Sequence, residues 1–226
     1  KLKNLFLNKP LKYEDDRELS WIIFFLVSIF IILEFLSVSF PEHKLDSFHE
    51  GQRLSSAYKS LIDGSLWSGS FVTIGIFFET LSSKIIWNIF DHISIGLTRY
   101  LEILFILIQK ILLVLLLFIF TNYLKINFLN KNIFFIFNTF ILSYLSNYIS
   151  GVDLLSYREL PIIVLSILFL LTLKTNNNYL ILFLISLLSI SSMFWGIDRG
   201  LVCNFLIFVI IFYLLFIKEF KKTFLL

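Results

Sequence analysis

The residues best suited to chemistry lie in a short polar stretch, DSFHEG, at residues 46–51. Glu50 comes directly before a helix-forming pattern, where water can reach its carboxylate. A carboxylate in such a position suits a general base acting on a polar acceptor. The spacing fits equally well an ordinary acid in the first turn of a helix, where the helix dipole favours negative charge.

The same region also carries residues that bind metals. They are His43, His49, His92, Asp46 and Glu50. Tight ligand spacing such as HExxH does not occur among them, which disfavours a structural zinc site. A single cysteine, Cys203, excludes a zinc-binding cysteine cluster and an internal disulfide. The cofactor is left open, with a loosely held divalent cation on the carboxylates as the one option that the residues suggest.

Arginine stands beside an acid in two further loops, which read YRE and IDR. Arginine is the side chain best suited to two-pronged contact with phosphate. The substrate-binding residues that we expect are Arg53, Arg158, Asp198 and Arg199. The alternative is that Arg158 and Arg199 pair with the acids next to them and only cap helix ends.

These polar groups stand out because the rest of the chain is apolar. Of its 226 residues, 58% are hydrophobic and only 15% are charged. A soluble domain has about 45–50% apolar and about 25% charged residues. Lipid must therefore cover part of the surface, and the composition predicts a multi-pass membrane protein with the bilayer as its partner. Nucleic acid is excluded as a partner, because the net charge is only +3 and long basic runs do not occur.

Six apolar segments approach the roughly 17–25 residues that a transmembrane helix needs. They cover residues 21–40, 99–120, 133–149, 160–173, 179–195 and 201–217. The expected fold is all-α, a single membrane domain with about six transmembrane helices and two interfacial amphipathic helices. Residues 1–20 form a cytoplasmic N-terminal segment, residues 41–98 form an external segment, and residues 99–226 hold the remaining spans.

Two amphipathic patterns lie inside the external segment. In the first, from Leu54 to Ile62, apolar residues recur at the spacing of one helix face, and Gly64 ends the pattern. The second runs from Phe78 to Ile89. Because both are too short or too polar to cross a bilayer, we expect their apolar faces in lipid and their polar faces in water. The alternative is that both helices only pack on the bundle.

Lysine and arginine are unequally distributed around the predicted spans. One side carries Lys1, Lys3, Lys9, Lys12, Arg17, Lys125, Lys131, Lys174, Lys218, Lys221 and Lys222. The short loops of the other side carry only Arg158 and Arg199. Basic residues accumulate on the cytoplasmic side, so both termini are expected there. Abundant Ile, Phe, Lys and Asn are typical of an AT-rich genome, which makes a bacterial cytoplasmic (inner) membrane the expected location.

Charged residues also fall inside the predicted spans, where they are costly. From the rise of about 1.5 Å per residue, Glu34 lies ~9 Å below the outer end of its helix and Lys110 ~16 Å below Arg99. A lysine side chain can bridge this difference, so a Glu34–Lys110 pair is predicted. A proton relay is the alternative, and it would serve a transporter.

The order of these features resembles that of a family of membrane enzymes. A first span, then an external segment that opens with an acidic motif and holds two interfacial helices, is similar to the glycosyltransferases of the C-type fold. The residues that carry the likeness are His49-Glu50-Gly51, Ala57, Gly64, Gly75, Gly96-Leu97-Thr98-Arg99 and Arg158-Glu159-Leu160-Pro161. In the bacterial branch that the chain resembles, Asp-Glu-Gly precedes a helix and a glycine-ended turn.

The resemblance implies transfer of a sugar from a polyprenyl-phosphate donor to a glycan, lipid or protein acceptor on the outer face of the membrane. Carried over by position, the family's carboxylate is Glu50, which acts as base or orients the acceptor. His49 replaces the first acid of the family's pair, so either His49 or Asp46 is expected to take its part in catalysis. Family members have more than six spans, which implies a fragment or a truncated relative.

Two other function classes are compatible with the sequence. A transporter or lipid flippase would work through buried charges, and usually has helices broken by glycine or proline. None of the three prolines falls in the middle of a predicted span, which disfavours a transporter. In a non-catalytic membrane scaffold, the external charges would only be solvated helix ends. The discriminating question is whether Glu50, Arg158 and Arg199 converge on one site.

Overall fold

A computed structural model describes residues 18–37, 49–66, 75–148, 157–174 and 179–216 of the chain. Within these residues all regular structure is helical, which confirms the all-α class. The eight α-helices are α1 (Trp21–Ser37), α2 (His49–Asp63), α3 (Ser82–Phe90), α4 (Ile95–Tyr123), α5 (Phe128–Tyr148), α6 (Leu160–Lys174), α7 (Tyr179–Trp195) and α8 (Ile197–Phe216). A π-helical turn, Phe77–Leu81, leads into α3, and a 3-10 turn, Tyr157–Glu159, leads into α6.

Each of the six apolar segments predicted from the sequence overlaps one helix, although several of the helices extend beyond the predicted bounds. Two of these helices, α4 and α8, are long and apolar enough to cross a bilayer, among the residues described. Only 22% and 28% of their most apolar stretches are buried inside the protein, whereas the core helix of a soluble protein would be mostly covered. These two helices therefore indicate association with a membrane.

The longest helix, α4, is the centre of the arrangement and contacts α1, α3, α5 and α6. Near its C-terminus, the side chain of Asn122 accepts a hydrogen bond of 2.8 Å from the backbone N–H of Leu19, just before α1. Near its N-terminus, Phe105 packs on Trp195 at the end of α7, with ring centroids 5.4 Å apart. Both α1 and α7 therefore run opposite to α4, and the N-terminal end of α4 meets the end of α7.

Two apolar clusters hold the long helices together. One joins α6, α7 and α8 through Leu165, Ile181, Ile185, Cys203, Ile207, Ile210 and Leu214. The other joins α1, α4 and α5 through Leu19, Phe24, Ile31, Val114, Phe118 and Phe135. Glycine brings α7 and α8 close together, since a Cβ at Gly200 would lie 2.7 Å from the Cα of Met193. Such close approach at small residues is common between membrane helices.

The amphipathic helix α2 packs through polar side chains against the π-helical turn and against the start of α3. The contacts join Gln52 to Glu79 (3.2 Å), Ser56 to Thr80 (3.1 Å) and Lys84 to Ser60 (3.0 Å). The three α2 residues are spaced by four and so share one face of the helix. The expectation that the polar faces point to water is therefore wrong for this face. Polar groups buried between helices satisfy each other by hydrogen bonds.

The pair also packs on the bundle, while part of its apolar surface stays exposed. Ala57 of α2 is fully buried in a cluster with Ile86 and Trp87 of α3, against Leu97 and Leu101 of α4. The helix α2 ends as predicted, because Gly64 adopts a left-handed conformation with φ of +69° directly after Asp63. The large apolar side chains of the two helices that stay exposed are Tyr58, Ile62, Ile85, Ile89 and Phe90.

The predicted pair between α1 and α4 is also present. The charges of Glu34 and Lys110 lie close enough to attract each other. The Lys110 ammonium lies 5.4 Å from the centre of the Phe35 ring, which adds a cation–π contact. An attractive pair inside an apolar region suits a structural role.

We expect reversal of both charges, Glu34→Lys with Lys110→Glu, to restore folded protein relative to either single reversal. Each single variant would carry two like charges, and an unpaired charge at the centre of a bilayer costs about 2.5–3.5 kcal/mol. The measurement is the yield of monodisperse protein in mild detergent, with its apparent Tm. If the double variant is no better than the single ones, the pair is contradicted.

Candidate functional site

The carboxylate of Glu50, at the start of α2, is held by the guanidinium of Arg99 near the start of α4. Arg99 donates from Nε to Glu50 Oε1 and from Nη2 to Glu50 Oε2, both at 2.7 Å. This two-pronged geometry is the strongest that arginine forms with a carboxylate. The Glu50 side chain is 15% exposed and that of Arg99 33%, so the pair lies at the edge of the protein. The Glu50 carboxylate is therefore held in place by the ion pair, and solvent can still reach it.

A second ion pair repeats the first one turn further along both helices. Arg53 Nη1 donates to Glu102 Oε1 at 2.7 Å. Because Glu50 and Arg53 are three residues apart on α2, and Arg99 and Glu102 three apart on α4, each pair of neighbours shares a helix face. The two ion pairs thus form a ladder between α2 and α4. Glu102 is an acid inside a predicted span, and its presence there is explained by its pairing with Arg53.

The ring of Phe78, in the π-helical turn, connects this ladder to a second group of charges. The guanidinium of Arg53 lies 5.0 Å from the ring centre, and that of Arg158 lies 5.2 Å from it. Both distances are within the range of cation–π attraction. Two arginines that are far apart in the sequence therefore meet at one buried phenylalanine.

In the second charged group, residues of the 3-10 turn form ion pairs with residues at the start of α8. Arg158 Nη2 contacts Asp198 Oδ2, and Arg199 Nε contacts Glu159 Oε1 at 2.5 Å. Arg199 also reaches Asp198 Oδ2 from Nη1 at 3.5 Å. The alternative in which arginines pair only with their sequence neighbours is wrong for Arg158, because the turn before α6 and the start of α8 face each other.

Tyr157 lies at the centre of these charges. Its side chain is 1% exposed and its ring packs on those of Phe78, Phe105 and Trp195, with centroids 5.1, 5.1 and 5.8 Å away. Burial raises the pKa of the Tyr157 hydroxyl far above its usual range, and the nearby charge of Glu102 raises that pKa further. The hydroxyl therefore stays protonated and can act as a hydrogen-bond donor.

Most of the predicted site residues come together at this end of the bundle. Those that do are Glu50, Arg53, Arg158, Asp198 and Arg199. Asp46 and His43 lie outside the described residues, as does the side chain of His49, and His92 is exposed after α3. Within the described ranges, no three His, Cys, Asp or Glu side chains form a group that could hold a metal ion.

The sequence did not identify three of the residues that build the site. Arg99 is part of a motif but had no assigned partner, because its contact with Glu50 depends on how α2 lies against α4. Tyr157 gave no signal, since a buried aromatic residue looks like any core residue in a sequence. Glu79 lies on the polar face of the second amphipathic pattern, which the sequence predicts to face water. In the structure Glu79 is 1% exposed and accepts hydrogen bonds from Gln52 and the backbone of Gly75.

The π-helical turn that carries Phe78 is fixed by a close backbone contact. A Cβ at Gly75 would lie 2.6 Å from the Cα of Gly196 and 2.8 Å from the carbonyl oxygen of Trp195. Backbone atoms cannot move aside as a flexible side chain can. Glycine at position 75 therefore allows the turn to lie directly against the link between α7 and α8.

We expect Gly75→Ala to destabilise the protein by about 1–3 kcal/mol, because the added methyl group overlaps backbone atoms. The matched control is Gly51→Ala, where nothing lies within 4 Å of the new Cβ. Alanine should stabilise that helical position by up to about 1 kcal/mol. Thermal unfolding of both purified variants in detergent measures the difference, and equal stability would contradict the close contact.

Comparison with known proteins does not identify a relative of this chain. No family model matches it, and no curated protein and no solved structure is significantly similar to it. The resemblance to the C-type glycosyltransferases therefore rests on the sequence motifs, and the function has to be argued from the residues of the site.

Proposed function

We propose that the chain is a membrane glycosyltransferase of the C type, which transfers a sugar from a polyprenyl-phosphate donor to an acceptor at the outer face of the bacterial cytoplasmic membrane. One observation carries the proposal. Glu50, Arg158 and Arg199, which come from three separate segments, belong to two groups of ion pairs that meet at the Phe78 ring, at one end of the helix bundle. A scaffold with unrelated solvated charges has no reason to gather them.

In this proposal six helices cross the membrane, α1 and α4 to α8, while α2 and α3 lie at its outer surface. The lengths of α4 and α8 and the directions of α1 and α7, opposite to that of α4, support it. Lys125 and Lys131 follow the C-terminal end of α4, and the charged group lies at its N-terminal end. The positive-inside rule then assigns the lysine end to the cytoplasm and the charged group to the outer face. The 15-residue α6, about 22 Å long, requires local thinning of the bilayer.

The proposed chemistry begins at Glu50. Each carboxylate oxygen has more than one lone pair, so Glu50 can bind an acceptor hydroxyl while it is held by Arg99. The hydroxyl oxygen attacks the anomeric carbon of the sugar, and its proton passes to Glu50 or to water. The bond between the anomeric carbon and the phosphate oxygen breaks, and its electron pair stays on the phosphate. His49 or Asp46 assists Glu50. It takes the role of the acid that directly precedes the catalytic carboxylate in the family and that is replaced by His49 in this chain.

Arg158 and Arg199 stabilise the negative charge that develops on the departing phosphate. In the structure they are bound by Asp198 and Glu159, so the phosphate exchanges with a carboxylate. Asp198 is the partner best suited to exchange, because its side chain is 41% exposed. Water can therefore solvate the Asp198 carboxylate once it is displaced from Arg158.

A transporter is less well supported than an enzyme. Its function would depend on charges inside the spans, and Glu34 and Lys110 attract each other there. A scaffold and an enzyme differ in the expected effect of replacing the charged residues. A scaffold would tolerate the replacements, whereas an enzyme would lose its activity.

We expect Glu50→Gln to lower sugar transfer at least about 100-fold while the protein still reaches the membrane, because the amide cannot take a proton. Transfer is measured as incorporation of label from radioactive polyprenyl-phosphate hexose and pentose donors into the lipid, glycan and protein fractions of membranes. Arg158→Ala, which removes a phosphate-binding group, should abolish transfer as well.

The control is Asp63→Asn, which changes an exposed acid at the far end of the same helix and should transfer normally. Thermal unfolding of each purified variant separates loss of function from loss of fold. Normal transfer by folded Glu50→Gln would refute the enzyme and favour a scaffold.

A further inference from the structure

The guanidinium of Arg99 fixes the orientation of the Glu50 carboxylate, the group on which the proposed reaction depends. Two hydrogen bonds of 2.7 Å join Arg99 Nε to Glu50 Oε1 and Arg99 Nη2 to Glu50 Oε2. The last torsion of a glutamate side chain is soft, so a carboxylate that is held at one oxygen can still rotate. Contact at both oxygens prevents this rotation, because two planar groups joined at two points cannot turn relative to each other.

Arg99 is itself well anchored, because it lies near the start of the helix at the centre of the bundle. That helix, α4, contacts α1, α3, α5 and α6. Leu97 and Leu101, which lie on either side of Arg99 along the chain, pack against the buried cluster that joins α2 to α3. A side chain on a packed helix holds its partner more precisely than one on a loop. The position of the Glu50 carboxylate is therefore set by α4 as well as by α2.

Other contacts attach α2 to α4 independently of Arg99. Arg53 Nη1 donates to Glu102 Oε1 at 2.7 Å, one turn further along both helices. The apolar cluster around Ala57 joins the same two helices. Because these contacts already hold α2 on α4, the main effect of the two-pronged Arg99 contact is on the orientation of Glu50.

We propose that Arg99 is a positioning residue, which holds the Glu50 carboxylate in the orientation that receives an acceptor hydroxyl. This inference rests on the proposed function and adds Arg99 to the residues on which transfer depends. Each carboxylate oxygen can accept more than one hydrogen bond, so the contact with Arg99 is compatible with binding of the hydroxyl. Loss of correct placement lowers the rate of the chemical step, even where the charge of the site is unchanged.

The test replaces Arg99 by lysine in the purified chain in lipid nanodiscs, with a membrane extract as the source of acceptors. Arg99→Lys keeps the positive charge but binds Glu50 through one nitrogen only, so it separates charge from orientation. We expect kcat for transfer from radioactive polyprenyl-phosphate hexose or pentose to fall about 10- to 100-fold. The KM for the donor should not change, because Arg99 acts through Glu50 on the acceptor. Wild-type kcat would overturn the proposal, since charge alone would then suffice.

Leu101→Ala is the matched control for lost packing between α4 and the helices α2 and α3. Leu101 lies two residues after Arg99 and packs against the same apolar cluster. We expect this variant to have a lower apparent Tm than the wild type and an unchanged kcat per folded protein. If kcat falls with Tm in the same proportion in Arg99→Lys and in Leu101→Ala, Arg99 has only a structural role and the proposal is overturned.

The contact with Glu50 is also measured without sugar transfer, by labelling carboxyl groups with a water-soluble carbodiimide and glycine ethyl ester. Mass spectrometry of the peptides gives the labelling rate at Glu50 and at Asp63, an exposed acid of the same helix that serves as the internal control. We expect Arg99→Gln to raise the rate at Glu50 about tenfold or more, because hydrogen bonds to a charged group are lost. The rate at Asp63 should not change. Equal rates at Glu50 in the wild type and the variant would overturn the proposal.

Two outcomes distinguish failure of this inference from failure of the proposed function. Wild-type kcat in Arg99→Lys, together with lost transfer in Glu50→Gln, would overturn the role of Arg99 and leave the enzyme in place. Protection of Glu50 by Arg99 from labelling, without transfer to any acceptor by the wild type, would overturn the enzyme and with it the role of Arg99 in transfer.

Discussion

A charge in so apolar a protein needs an opposite charge or a hydrogen-bond partner, and this constraint organises the end of the bundle where α4 begins. Four arginines and four carboxylates form ion pairs there. The pairs connect α2 to α4, and the turn before α6 to the start of α8. Segments that are far apart in the sequence are thereby held together at this end of the bundle.

The packing of α2 and α3 has the same physical origin. The polar side chains of α2 bond to the π-helical turn and to α3, so the two helices can lie against α4 while these donors and acceptors are satisfied. Close backbone contact at Gly75 then fixes the π-helical turn, and Phe78 comes to lie between two arginines. The position of the candidate site therefore depends on polar packing as much as on the apolar clusters deeper in the bundle.

The sequence by itself determined where the long helices lie, because apolar length and helical period are local properties. It also gave the stop at Gly64 and the Glu34–Lys110 pair, which follow from local geometry and rise per residue. Only the tertiary structure decided which charge pairs with which. The partner of Glu50 is Arg99, and that of Arg158 is Asp198, because these contacts depend on how distant helices lie against each other. It also buried Glu79, because polar partners from α2 and Gly75 meet it there, and Tyr157, because three aromatic rings from distant segments enclose it.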